Sequence, residues 1–282
     1  MVKDWADLGL TSTHFLTTPS QWDDPATIEA IKSYVDLSQK HGLRVGIRLG
    51  GDKKMSGIEG SGWDLHPKNE KNRIDEYVAW TKRVAQALKG KVEYYVVGDE
   101  VNGNSWEEIQ PDGTTIHGIK APEDKRWTAA YFMEVFPKIS DAIKSNDPAA
   151  RVSMFGMGGL DWDYVEQLVA LGYAKVADGV AANFGEEPPE KMREFVAKVK
   201  SIDPKYTLYS NGVGYVGAVS ASAYPSNHGY KVYSDEEQAA RVATVMFKSF
   251  ESGWNAAPYY IVVRQWVMPD GKIVPHWYGL FG

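Results

Sequence analysis

Two hydrophobic periods alternate along the chain. Apolar residues at helical spacing (Ile28, Ile31, Val35 and Leu37, then Ile74, Tyr77, Val78, Val84 and Leu88) predict amphipathic helices. Between such stretches lie short β-branched and aromatic runs at 11–18, 43–49, 92–97, 151–157, 176–184, 206–214 and 256–266. Each reads as a strand, because these side chains pack well on a pleated surface. Helices are expected at 2–10 with Gly9 as C-cap, from Pro25 to His41-Gly42, and at 73–89, 128–145, 161–171 and 189–202. Another follows the capping box Ser234-Asp235-Glu236-Glu237-Gln238 and runs to about 251.

Strand and helix alternate with no linker, low-complexity segment or change of composition, so residues 1–282 are expected to form one parallel α/β domain. The longer connections, 50–69, 101–127, 185–189, 214–234 and 265–276, follow strands and read as loops. Helix-to-strand links are short. No Gly-x-Gly-x-x-Gly follows the first strand and no Walker motif occurs, which disfavours a doubly wound nucleotide-binding sheet. The predicted fold is a (β/α)8 TIM barrel, or an incomplete seven-to-eight-stranded version, since only seven strands are visible.

In such a barrel, chemistry belongs at the carboxyl ends of the strands. The stretch from Val92 to Gly103 meets that expectation most sharply: an apolar run ends in Gly98, then Asp99, Glu100, Val101 and Asn102. The ordinary alternative is an acidic solvated turn. Arg48, near the end of an earlier strand, is placed to hold a carboxylate or a substrate hydroxyl, or else to make an outward ion pair. Arg264 stands in the same way on the last strand, next to Gln265 and Trp266. Trp63, Trp106, Trp127, Tyr215 and Trp277 fall in loops on the same predicted face, where they either stack on a ligand or fill space.

The net charge of −6 argues against nucleic acid or an anionic membrane as partner, and with no cysteine, thiolate catalysis and thiolate zinc sites are excluded. The six histidines have no ligand spacing, so neither a metal nor a cofactor is expected. No Gly-x-Ser-x-Gly elbow supports a Ser-His-Asp triad. The start is not signal-like and no apolar run is long enough to span a bilayer, which predicts a soluble protein, or the mature or recombinant form of an exported one.

From residue 9 to 281 the chain resembles the clan A glycoside hydrolases, (β/α)8 retaining glycosidases. Asp99-Glu100-x-Asn102 resembles their Asn-Glu acid/base motif on the fourth strand, and Asp178-Gly179-Val180 through Asn183-Phe184 resembles the sixth. Val213-Gly214-Tyr215 resembles the tail of the Thr-Glu-Val-Gly nucleophile motif, Ser234–Ala239 the helix start after it, and Tyr259-Tyr260 with Gly279-Leu280-Phe281 the eighth strand and its sequel. The resemblance implies that Glu100 is the general acid/base. It also implies sugar contacts from Asn102, Asn183, Asn211, Tyr215, Trp266 and Trp277, and makes the first visible strand the family's second. A homodimer covering an open seam follows as one expectation.

Three positions depart from the pattern. The nucleophile Glu is Gly212, with Ser210 and Asn211 beside it unable to replace a carboxylate. The Asn before the acid/base is Asp99, and Asn183 stands where His is common. Retaining hydrolysis needs two carboxyls ~5–5.5 Å apart, so several readings stay open. The Asp99-Glu100 pair resembles that of substrate-assisted β-N-acetylhexosaminidases, which need no enzyme nucleophile. A barrel that has lost its nucleophile would condense sugars or only bind glycans. A barrel re-equipped for proton abstraction or aldol-type chemistry would use Asp99 or Glu100 as base, or a Schiff-base lysine, with Lys53 and Lys54 the lysines near a strand end.

Overall fold

The computed structural model describes residues 2–7, 9–50, 71–98, 101–103, 106–109, 115–119, 127–153, 156–183, 187–212, 216–217, 232–255, 265–267 and 273–275. Among the described residues, the main strands of the central parallel sheet are β1 (Ser12–Thr17), β2 (Arg44–Leu49), β3 (Tyr94–Val97), β6 (Arg151–Ser153), β8 (Gly179–Asn183) and β9 (Thr207–Gly212). They pair in chain order, β1-β2-β3-β6-β8-β9, and a two-residue strand β7 (Met157–Gly158) also lies against β8. Parallel strands added one after another, with helices between them, form the wall of an incomplete (β/α)8 barrel.

The helices are α1 (Val2–Asp7), α2 (Pro25–Lys40), α3 (Lys71–Ala87), α4 (Ala129–Lys144), α5 (Trp162–Ala170), α6 (Pro189–Ile202) and α7 (Asp235–Glu251). Their starts follow from local chemistry. Asp24 accepts from the backbone N–H of Ala26 and Thr27 ahead of Pro25, Thr128 from Tyr131, and Ser234 from Glu237, whose carboxylate takes the Ser234 N–H in return. Gly9, with φ of 82°, ends α1 as expected.

Strand parity sorts the apolar residues into two cores. Val45, Ile47, Leu49, Tyr95, Val97, Val152, Val180, Ala182 and Leu208 face the helices, joining Trp80, Val84, Phe132, Phe136, Leu168 and Phe195. The alternate residues Tyr94, Val96, Ala181 and Tyr209 form a separate cluster inside the barrel. Tyr94 and Tyr209 lie ring on ring, with centroids 3.8 Å apart and planes 9° from parallel, although β6 and β8 separate their strands. The sheet is therefore curved far enough to bring side chains together across its concave face. Gly46 makes room for this plug: a Cβ there would lie 2.1 Å from the Tyr94 ring. His14 Nδ1 is 3.2 Å from the Tyr94 hydroxyl.

The amino ends of the strands are tied by polar contacts. Lys144 pairs with Asp178 at 2.7 Å, Arg44 with Glu93 at 3.3 Å, and buried Asp147 accepts from the Gly90 N–H.

Several expectations need correction. The 101–127 loop contains a hairpin, β4 (Trp106–Ile109) with β5 (Thr115–Ile119). The single strand at 151–157 is two pieces, β6 and β7, both on β8. The strand at 176–184 begins only at Gly179, because a 3-10 turn (Tyr173–Lys175) after left-handed Gly172 occupies the approach. The loop at 214–234 carries a parallel pair, β10 (Val216–Gly217) and β11 (Val232–Tyr233). Gln265, Trp266 and Val267 form β12 (Gln265–Val267), antiparallel to β13 (Ile273–Pro275), so the end of the expected last strand belongs to a hairpin. Residues 256–264 lie outside the described residues. Leu37 is exposed at 42%, and Ser38 takes the inward position, its hydroxyl donating to Tyr34 O.

Candidate functional site

The carboxyl ends of β3, β7, β8 and β9 meet on one rung. Asn102, just past β3 and fully buried, bonds twice to the backbone of Gly158: its Nδ2 donates to Gly158 O at 3.1 Å, and its Oδ1 accepts from Gly158 N at 2.8 Å. Gly158 is the ladder partner of Asn183, and Asn183 on its other side is the partner of Gly212. The Gly159 N–H adds a bond to Asn183 O at 2.9 Å. Adjacent strands are ~4.8 Å apart, so Gly158 and Gly212 are separated by about 10 Å of sheet. Asn102, Asn183 and Gly212 are thus brought together.

The ladder between β8 and β9 slips by one residue at this place. Ala182 pairs with Ser210, but Asn183 pairs with Gly212, so Asn211 is the extra residue of a bulge. Such a bulge bends the strand and re-aims the residues beyond it.

Arg48 also belongs to the interior. It pairs in register with Val96, a member of the inner cluster, and is only 6% exposed. A buried guanidinium on the concave face is suited to a carboxylate or to ligand hydroxyls, because its charge must be matched within the barrel. Trp127, by contrast, packs in the helix-side core against Tyr131 and Phe132, so the loop-face position expected for it is corrected to a core one.

Two residues of the central stretch, Asp99 and Glu100, lie outside the described residues, as do Lys53, Lys54, Trp63, Tyr215, Arg264 and Trp277. The backbone on either side of the pair is held. The Gly98 N–H donates to Leu49 O at 2.7 Å, and Val101 O accepts from Trp127 N at 2.9 Å. Gly98 has φ of 74°, a turn at the strand end that favours glycine. Among the described residues, no group of three His, Asp or Glu side chains is placed to hold a metal ion, and no helix is long and apolar enough to cross a membrane.

Burial pushes the Tyr94 hydroxyl far up from its ordinary value, with the neighbouring Tyr209 and Glu93 adding to the effect; the Tyr209 hydroxyl is also raised by burial. Both are neutral hydroxyls in a dry plug, which makes the inner base of the site a floor of aromatic and aliphatic side chains.

Sequence reasoning did not find the partners of Asn102. Gly158 acts through its backbone, and Asp161, whose Oδ2 accepts from Asn102 Nδ2 at 2.9 Å, looks in the sequence like an ordinary helix cap.

Similar solved structures share this arrangement of strands and helices. A family 39 glycoside hydrolase from the gut symbiont Bacteroides cellulosilyticus WH2 superposes with a TM-score of 0.67 at 14% identity, over 99% of this chain. The shared property is the fold, a (β/α)8 barrel. The chain spans 57% of that enzyme's length. A fungal β-1,4-galactanase matches the barrel with a TM-score of 0.62 at 10% identity, covering 92% of this chain and 80% of the enzyme. A β-glucosidase matches it with 0.61 at 13% identity, covering 99% and 80%. No protein-family profile matches the chain, and no curated protein sequence does.

Proposed function

We propose that the barrel acts on or binds a carbohydrate, with Glu100 as general acid/base and no protein nucleophile at position 212. The observation that supports this most is the common rung. It joins Asn102, two residues beyond Glu100, through Gly158 and Asn183 to Gly212, the position where the resembled glycosidases carry their second carboxylate. The glycosidase folds of the similar structures favour a sugar over other small molecules.

In double displacement one carboxyl protonates the leaving oxygen and the other attacks the anomeric carbon from the opposite side. Glycine has no atom to attack with, so a covalent glycosyl-enzyme does not form at 212. Glu100 retains the acid/base role, Arg48 holds a substrate hydroxyl, and Asn183, Asn211, Tyr215, Arg264, Trp266 and Trp277 serve as sugar contacts. A small external anion would stand in for the missing carboxylate. Its lone pair forms the new bond at the anomeric carbon as the C–O pair leaves with the aglycone, and Glu100 supplies the proton where the leaving oxygen needs one.

The test is a panel of aryl glycosides with and without azide. The expected result is slow cleavage without azide, faster cleavage with it, and a glycosyl azide of inverted anomeric configuration. Azide-independent cleavage with a trapped covalent sugar would overturn the reading. So would failure of every sugar to bind. Cleavage confined to 2-acetamido sugars and lost in Asp99→Asn would replace it with the substrate-assisted route.

A further inference from the structure

We infer that Asn102 is the positioning residue for the Asp99–Glu100 pair, acting through a clamp on Gly158 and Asp161; the inference rests on the acid/base role proposed above for Glu100. The clamp engages both ends of one carboxamide. Oδ1 accepts from the Gly158 N–H at 2.8 Å, while Nδ2 donates to Gly158 O at 3.1 Å and to Asp161 Oδ2 at 2.9 Å. No other side chain of this size offers both an acceptor and two donors in one plane. Asn102 is fully buried, so each of these bonds is made away from competing water.

The clamp has a direction. Asp161 is the N-cap of α5: its Oδ1 accepts from Tyr164 N at 3.2 Å, leaving Oδ2 for Asn102. One carboxylate therefore starts a helix and holds the loop after β3. Gly158 belongs to β7, which is paired to β8. The loop is fixed to the helix layer and to the sheet at once.

Only two residues separate the anchored Gly98 from the anchored Val101-Asn102 segment, and those two are Asp99 and Glu100. Asn102 is two residues from Glu100 along the chain, so a change in its anchoring reaches Glu100 through two covalent links. The clamp also ends on the rung that carries Gly212, so it fixes the loop relative to the opposite side of the site.

The decisive comparison is among Asn102→Asp, Asp161→Asn and the double variant carrying both. Asn102→Asp sets a carboxylate against Asp161 and removes both donors. Asp161→Asn leaves a cap for Tyr164 but turns an amide toward the Asn102 amide. In the double variant the amide introduced at position 161 again faces a carboxylate, with only the donor to Gly158 O missing. With the aryl glycoside and azide, we expect Asn102→Asp to lower kcat by about 100-fold with little change in KM, as a small misplacement of a catalytic group does. The double variant should recover much of that loss, and Asn102→Asp should regain activity in acid as one of the facing carboxyls is protonated.

The Glu100 carboxyl is followed in parallel by 13C NMR titration, which needs no turnover. A changed Glu100 titration in Asn102→Asp, restored in the double variant, supports the clamp even if no sugar is turned over; in that case the functional reading fails and the clamp stands. If Asn102→Asp does not fold, Asp161→Asn carries the same measurement. Unchanged kcat and an unchanged Glu100 titration in folded single variants would overturn the inference.

Discussion

Asn183 and Gly212 are ladder partners on adjacent parallel strands, at the point where the β8–β9 register slips by one residue. The slip occurs beyond Ala181 and Tyr209, whose pairing is regular and whose side chains belong to the inner cluster. The β8–β9 ladder is thus regular toward the floor of the barrel and slips toward its mouth. Gly212, the position proposed to lack a nucleophile, lies at that slip.

Two glycines beneath the mouth are obligatory to different degrees. At Gly46 a Cβ would meet the Tyr94 ring at 2.1 Å, and at Gly179 it would meet the backbone oxygen of Thr207 at 2.1 Å. A ring can tilt; a paired backbone cannot without breaking the β8–β9 ladder. Gly46→Ala is expected to cost about 1–3 kcal/mol and Gly179→Ala more. Urea unfolding of both variants checks the order.

Stability should fall steeply in alkali. Burial raises the hydroxyls of Tyr77, Tyr94 and Tyr95 far above their ordinary values. Each native pKa exceeds the unfolded value of about 10. Their contribution is then fully present below pH ~10 and is lost as pH rises through the native values, because the unfolded chain releases the protons first. Ultraviolet absorbance of tyrosinate should show a group of tyrosines that ionise only together with unfolding. Their smooth titration in a still-folded chain would contradict the assigned burial.

The α7 start offers a cleaner local test. Ser234 and Glu237 form a reciprocal capping box on an exposed turn. Ser234→Ala should lower stability by about 1 kcal/mol and Ser234→Asp by much less. Thermal melting in low and high salt separates the cap from charge effects.

Arg48 is expected to matter for ligand and not for fold alone. Replacing it with Met keeps much of the volume but takes the buried charge away from the groups that match it, so stability should fall. Sugar affinity, measured by the quenching of tryptophan fluorescence, should drop by at least about tenfold, as loss of one charged hydrogen bond implies.

Much of this architecture was legible in the residues. The α6 and α7 boundaries, Pro189–Ile202 and Asp235–Glu251, follow from Pro188-Pro189 and from the Ser-x-x-Glu box, both of which act on their own few neighbours. The β4–β5 hairpin also has a local signal, since Pro111-Asp112-Gly113 lies between its strands and the same tripeptide lies between β12 and β13 in the sequence. Leu37 is apolar but lies two residues beyond Val35 on the helix, so it points away from the core. At the site, residue types named Asn102, Asn183 and Gly212, but not the rung that unites them. That rung runs through the backbone of Gly158 and through a register slip, and neither leaves a mark in side-chain chemistry.

The proposed sugar site, with Glu100 as acid/base and no nucleophile at position 212, can be probed by placing a carboxylate there. Gly212→Glu is assayed with an activated aryl glycoside alongside the unaltered chain and Gly212→Ala. Only the glutamate variant is expected to gain azide-independent hydrolysis, and a 2-fluoro sugar should then label residue 212. Equal hydrolysis by all three, with the label elsewhere or absent, would contradict a site that lacks only its nucleophile.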